Sequence, residues 1–195
     1  MLTNIYMVRH AQSDIRIRED AIRPLTPKGL VDAKRVSETL ISMNISKIFS
    51  SPYLRTVQTV QHFAESQKLS ICQMDDFRER AVGGWVDDFQ AFSRKQWEDF
   101  TFKLEGGESL KEVQERNIRA LLQLKKENEG LNIVVGTHGT ALGTIINYYD
   151  SSFGYEHFWS IVDRMPYIMH FQYQSEDLVS MQEIEQKRGV QHQLY

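Results

Sequence analysis

Four short apolar runs alternate along the chain with segments of helical pattern, and this alternation limits the fold more than any other feature. The runs are Ile5-Tyr6-Met7-Val8, Ile45 to Phe49, Leu69 to Met74 and Ile133-Val134-Val135. They are nearly continuous rather than apolar at every second residue, which marks strands buried on both faces. Between them, Thr26-Pro27 opens one helix, with Thr as N-cap and Pro in the first position. Ser51-Pro52 is expected to open a second in the same way, leading into Tyr53 to Ser66. Ser109 and Glu112 form a capping box for a helix reaching about Asn128, where Gly130 provides the stop. A fourth helix is expected after Gly139 and through Ile146. Tyr167 to Tyr173 and Leu178 to Ile184 read as a strand pair joined near Ser175-Glu176-Asp177. The pattern predicts an α/β fold, a three-layer sandwich with a mostly parallel central sheet flanked by helices.

The chain of 195 residues fits a single domain over 1–195, and its 41% hydrophobic and 25% charged content supports a sizeable core. A net charge of -3 gives no basic face for nucleic acid, so an anionic substrate has to be drawn by a few placed Arg residues. There is no apolar run of membrane-spanning length and no basic region with an apolar stretch at the start, so a cytoplasmic location is expected. The single Cys72 suits a reducing compartment and is expected to be a half-buried structural thiol. No nucleic-acid or membrane partner is expected, and a homodimer is left open.

Three of the strand-like runs empty into polar residues of one chemical kind. His10 follows the first run beside Arg9, and His138 follows Ile133 to Val135 in Gly136-Thr137-His138-Gly139. Ile45 to Phe49 leads into Ser50-Ser51-Pro52-Tyr53-Leu54-Arg55, which sets Arg55 in the first turn of a helix. Ligands of parallel sheets bind beyond the carboxyl ends of the strands. Two imidazoles, two forked guanidinium groups and a helix N-terminus at that edge suit a phosphoryl group. The remaining His residues are less suggestive: His62 lies within a helix, His157 and His170 flank late elements, and His192 is in a polar tail. None has metal-ligand spacing.

With these residues in view, the chain resembles the histidine phosphatase superfamily, also called the phosphoglycerate mutase-like family. The resemblance runs in order through Arg9-His10-Ala11, Leu25-Thr26-Pro27-Lys28-Gly29, Ser50 to Thr59, Phe77-Arg78-Glu79, Gly106-Gly107-Glu108-Ser109 and Val135 to Gly139. It implies a phosphoglycerate mutase-like sheet and a metal-independent site needing no cofactor. By this resemblance His10 is the nucleophile that carries the phosphoryl group, unprotonated at the attacking nitrogen, and Glu79 is the general acid and base. Arg9, Arg55 and His138 line the phosphate pocket, and Ser13 and Gly139 are further phosphate-binding positions. Ala11 stands where the family has Gly, so the loop is expected to adjust; Ile15-Arg16 replaces a common Trp-Asn pair.

Specificity in the family comes from insertions over the pocket. Here a short cap insertion at about 80–106 holds Trp85, Phe89, Phe92, Trp97, Phe100 and Phe102. Such rings can stack on a substrate or exclude water, and most are expected to bury the cap against the domain. The short cap favours hydrolysis. The expected activity is therefore a phosphomonoesterase acting on a small phosphorylated metabolite. A phosphoglycerate mutase-type transferase ranks second and a non-catalytic phospho-ligand-binding domain third.

Overall fold

The computed structural model describes residues 1–186; His192 lies outside them. A sheet in the order β3-β2-β4-β1-β5-β6 forms the middle layer. Its strands are β1 (Leu2–Arg9), β2 (Lys47–Ser50), β3 (Ile71–Gln73), β4 (Asn132–Thr137), β5 (Tyr167–Gln174) and β6 (Asp177–Glu183). β3, β2, β4 and β1 run parallel, and β5 and β6 continue the sheet antiparallel from β1. The α/β sandwich with a mostly parallel sheet is therefore the fold, and the late strand pair extends one edge.

The side chains of β1 explain why its run is continuous. Ile5 and Met7 enter one core, with Ile133, Val135, Leu121, Leu124, Leu142 and Ile145. Tyr6 and Val8 enter the other, with Val134, Val36, Leu40, Val60 and Phe63. The first core is covered by α4 (Leu110–Glu127) and α5 (Gly139–Tyr149), the second by α1 (Pro27–Leu40) and α2 (Leu54–Gln67). Each fully buried aliphatic or aromatic side chain contributes about 1.5–3 kcal/mol, so a strand that faces two cores has no polar positions to spare.

Helix starts follow the capping chemistry in two of three cases. The Thr26 side chain accepts from Gly29 N, with Pro27 as the first residue of α1. Ser109 and Glu112 make both halves of the capping box of α4. The expected cap at Ser51-Pro52 is corrected: Tyr53 is the N-cap of α2, without a side-chain bond. The Ser51 hydroxyl is engaged elsewhere, as the site shows. Two helices lie outside the periodic segments, α3 (Phe89–Glu98) and α6 (Tyr155–Ser160). Asp88 caps α3 by accepting from Ala91 N. Cys72 is also corrected, being exposed on the edge strand β3 rather than half-buried. No helix among the described residues is long and apolar enough to cross a membrane.

Candidate active site

Parallel pairing brings the strand exits into line. Arg9 is opposite Thr137, and Ser50 is opposite Gly136. His10 N donates to Thr137 O at 3.0 Å, continuing the ladder by one bond, so His10 and His138 leave adjacent strands at the same edge. Their rings meet edge to face with centroids 5.3 Å apart, and the Tyr53 ring meets His138 at 5.2 Å.

The hydrogen bonds assign the proton on each ring. His10 Nδ1 lies 2.8 Å from Ala11 O, which can only accept, so Nδ1 carries the hydrogen and Nε2 keeps its lone pair. Burial, followed by the positive charge of Arg55, holds the His10 imidazole well below its usual titration range. The expected neutral His10 is therefore what the surroundings favour. His138 is fully buried, and burial with Arg55 beside it likewise lowers its pKa well below the usual value. Its Nε2 lies 2.8 Å from Ser51 Oγ, and its Nδ1 is buried without a partner.

Ala11 fits its place without strain. It is absent from the positive-φ residues, is fully buried, and packs with Leu25 and Ala33. Its N donates to Thr59 Oγ1 at 3.0 Å while its carbonyl holds His10. A small side chain thus replaces glycine where no left-handed backbone is needed. Glycine is needed instead at Gly29, because a Cβ there would stand 2.2 Å from the carbonyl oxygen of Gln12. This close approach, with Thr26 N donating to Gln12 O at 2.9 Å, ties α1 to the loop that follows His10.

Both arginines from the strand exits keep a buried Nε donor unspent. Arg9 gives Nη1 to Ile161 O at 2.8 Å and Nη2 to Val162 O at 2.7 Å, and Arg55 gives Nη1 to Asp20 O at 2.6 Å. The Nε of each is buried with no partner. Gly139 is where Arg9 packs: a Cβ there would lie 3.0 Å from the guanidinium carbon. An open cavity of about 980 Å³ is lined by His10, Ser13, Arg55, Glu79 and Thr140. Arg9, His138 and Gly139 sit behind this wall rather than on it.

Glu79 is held by backbone on both oxygens, accepting from Arg80 N at 2.8 Å and from Thr140 N, in the first turn of α5, at 3.1 Å. Arg116 of α4 fixes the segment that carries it. Its Nη1 donates to Asp76 O and Arg78 O, while Nε and Nη2 form a fork on Glu108 at 2.8 and 3.0 Å. Glu108 also receives Ala81 N and Arg78 Nη2, so the Gly106-Gly107-Glu108-Ser109 motif both caps α4 and anchors Glu79. Sequence reasoning gave Ser51 only a helix-opening role and did not single out Asp20, Arg80 or Arg116. Ser51 lies within a quoted motif and Arg80 adjoins one, but only contacts distant in sequence reveal what they do. Among the described residues no group of His, Cys, Asp and Glu could hold a metal ion.

The sequence of a probable phosphoglycerate mutase, GpmB of Salmonella choleraesuis (strain SC-B67), is 27% identical over 160 residues, covering 75% of this chain and 74% of that protein. The structure of YhfR from Bacillus stearothermophilus has a TM-score of 0.75 at 22% identity, covering 90% of this chain and 94% of that one. A phosphoserine phosphatase from Entamoeba histolytica, in complex with 3-phosphoglyceric acid, has a TM-score of 0.74 at 22% identity, covering 94% and 98%. At those identities the two structures speak to the fold. The family model described as the histidine phosphatase superfamily (branch 1) matches residues 5–182. On that match, which takes in the strand exits bearing both His and both Arg, the chain belongs to the histidine phosphatase superfamily.

Proposed function

We propose that the protein is a metal-independent phosphomonoesterase that acts on a small phosphorylated metabolite through a phosphohistidine on His10. The observation that carries this reading is the His10 ring itself. Its Nδ1–H is spent on Ala11 O, and its free Nε2 belongs to a residue lining the cavity beside Arg55. In the first step the Nε2 lone pair forms a bond to phosphorus and the ester P–O bond breaks. The electron pair leaves with the alcohol oxygen, which takes a proton from Glu79. A water oxygen then bonds to phosphorus, the P–N bond breaks, and the water proton returns to Glu79. Arg55, on the cavity wall, supplies charge stabilisation for the transferring oxygens, backed by the positive charge of Arg9 and the Nδ1 of His138 buried behind it. Ser13 lines the same wall and adds a hydroxyl donor.

Hydrolysis is favoured over phosphoryl return by the wide cavity, about 980 Å³, which admits water to the phosphohistidine beneath a one-helix cap. The name of the GpmB relative keeps a mutase as the second reading. We take the chain as one domain whose cap is the 80–106 segment, working in the cytoplasm without a nucleic-acid or membrane partner. Incubation with an aryl phosphate in the presence of a chelator is the direct test. Wild type should release phosphate, and His10→Ala should lose at least about a thousandfold. Equal release by the two proteins would remove His10 from the reaction. Conversion of a mono-phosphoglycerate to its isomer, without phosphate release, would establish the mutase instead.

A further inference from the structure

Asp20 is a carboxylate in a place that calls for phosphate. With His10, Arg55 and Glu79 it lines the cavity, and its Oδ1 stands 3.2 Å from Arg55 Nη1 and 3.1 Å from Arg23 Nη1. The Arg55 side chain is only 3% exposed, so its fork has little room to turn toward a second anion elsewhere. A phosphoryl group seated over His10 and drawn by Arg55 therefore meets Asp20 on the same guanidinium. Two anions at that distance repel, and the Asp20 side chain, 41% exposed, is the one with space to give way.

The contacts of Asp20 fall into two separable kinds. Its backbone carbonyl accepts from Arg55 Nη1 at 2.6 Å, and the next carbonyl, Ala21 O, accepts from Leu54 N at 2.9 Å. These bonds tie the 14–24 loop to the start of α2 and hold the guanidinium whether or not the carboxylate stays. The carboxylate itself makes only the two ion pairs. The loop around it is lightly packed, with Ile15, Ile17 and Ile22 all exposed, so no core contact resists a swing of the side chain into solvent. Because the carboxylate is tethered, it comes back to Arg55 as an intramolecular ligand, at an effective concentration that does not fall as a free anion diffuses away.

We propose that the Asp20 carboxylate is a tethered counter-ion that competes with phosphate for Arg55 and returns to it as inorganic phosphate leaves. The product is thereby kept from trapping a pocket built to hold a phosphoryl group. This rests on the phosphatase reading of the site, and the test separates the two. Calorimetry on the full-length wild-type protein in a phosphate-free buffer measures Kd for inorganic phosphate, which binds without being turned over. Asp20→Asn keeps the carbonyl tie and removes the charge. It should tighten Kd by about three- to thirtyfold, between the contribution of an exposed ion pair and that of a hydrogen bond to a charged group. Inhibition of aryl phosphate hydrolysis by inorganic phosphate should strengthen by the same factor. Asp20→Glu, which restores the carboxylate, should stay near wild type. Glu19→Gln, which removes the exposed carboxylate next door, should change Kd by less than about twofold. A residue that only shapes the loop predicts the opposite sign, weaker phosphate binding in Asp20→Asn. That result, an unchanged Kd, or a gain matched by Glu19→Gln would overturn the proposal. Should Asp20→Asn fail to fold by circular dichroism, the carboxyl carbon resonance of Asp20 in wild type decides the matter. Added phosphate should shift it, and a resonance that phosphate leaves in place would overturn the exchange. Tighter phosphate binding in Asp20→Asn with no turnover of any ester by wild type would leave the counter-ion standing and remove the phosphatase.

Discussion

The His138 ring shows how one hydroxyl sets a charge-stabilising donor. A neutral imidazole has one N–H. For His138 to offer Nδ1–H toward phosphate, its Nε2 must accept, and the Ser51 hydroxyl 2.8 Å away is the donor. Ser51→Ala should release that tautomer and lower kcat by about ten- to a hundredfold, less than removal of a whole oxyanion donor. Nitrogen chemical shifts of the His138 ring would show the N–H redistributed, and an unchanged tautomer would count against the assignment. Glu79 makes a separate expectation. Glu79→Gln keeps the bond to Thr140 N within reach but supplies no proton, so alkyl phosphates should slow by about 10²–10⁴. Aryl phosphates, whose leaving oxygen needs little protonation, should slow far less, and equal slowing of both would deny Glu79 the acid role. The placement of His10, Arg9, Arg55 and His138 at one sheet edge was legible in the sequence because each stands at or a few residues after a strand end. Arg80 was not, because its burial against Gln96, Phe89 and Phe92 is a property of the folded neighbourhood.

Among the helices, start signals were legible where the capping side chain has no competing partner. Ser109 and Glu112 do nothing but cap α4 and pair with Lys103, and the pattern read from sequence is the one formed. Ser109→Ala should cost about 1 kcal/mol, read as a lower urea midpoint with unchanged slope. Because Ser109 follows Glu108, whose carboxylate holds Ala81 N and Arg116, activity should fall along with stability. Ser51 has the same local signal ahead of α2, yet its hydroxyl lies against His138, which is 87 residues away in sequence, so the helix begins at Leu54 without a side-chain cap. The cap helix α3 escaped notice because its aromatic residues suggest packing more than periodicity. Of the six cap rings, Phe92 and Trp97 are buried and Phe100 and Phe102 partly so, whereas Trp85 and Phe89 stay exposed at the cavity. Asp88, followed three residues on by Ala91, was the available start signal.

For the molecule as a whole, the two buried imidazoles link folding to pH. Both are depressed in the folded state, and both take a proton near the ordinary His value once unfolded. Below that ordinary value the unfolded chain binds more protons than the folded one, so stability falls as pH falls. The loss is about 1.4 kcal/mol per pH unit for each imidazole until its depressed folded value is reached. Urea unfolding between pH 7 and pH 5 should show this slope, and His138→Gln should remove one imidazole's share; an unaltered slope in that variant would mean His138 is charged when folded. The neutral imidazoles and the sandwich share one origin, since the layers that close on the sheet bury both rings at the strand exits. The apolar runs, the strand-end His and Arg residues and the cap at Ser109 are local in the chain, so periodicity and capping chemistry suffice to read them. The tautomers, the unspent guanidinium nitrogens, the anchoring of Glu79 by Arg116 and the burial of Arg80 against Gln96 arise between residues far apart in sequence. Burial and hydrogen-bond partners there exist only once the layers have closed.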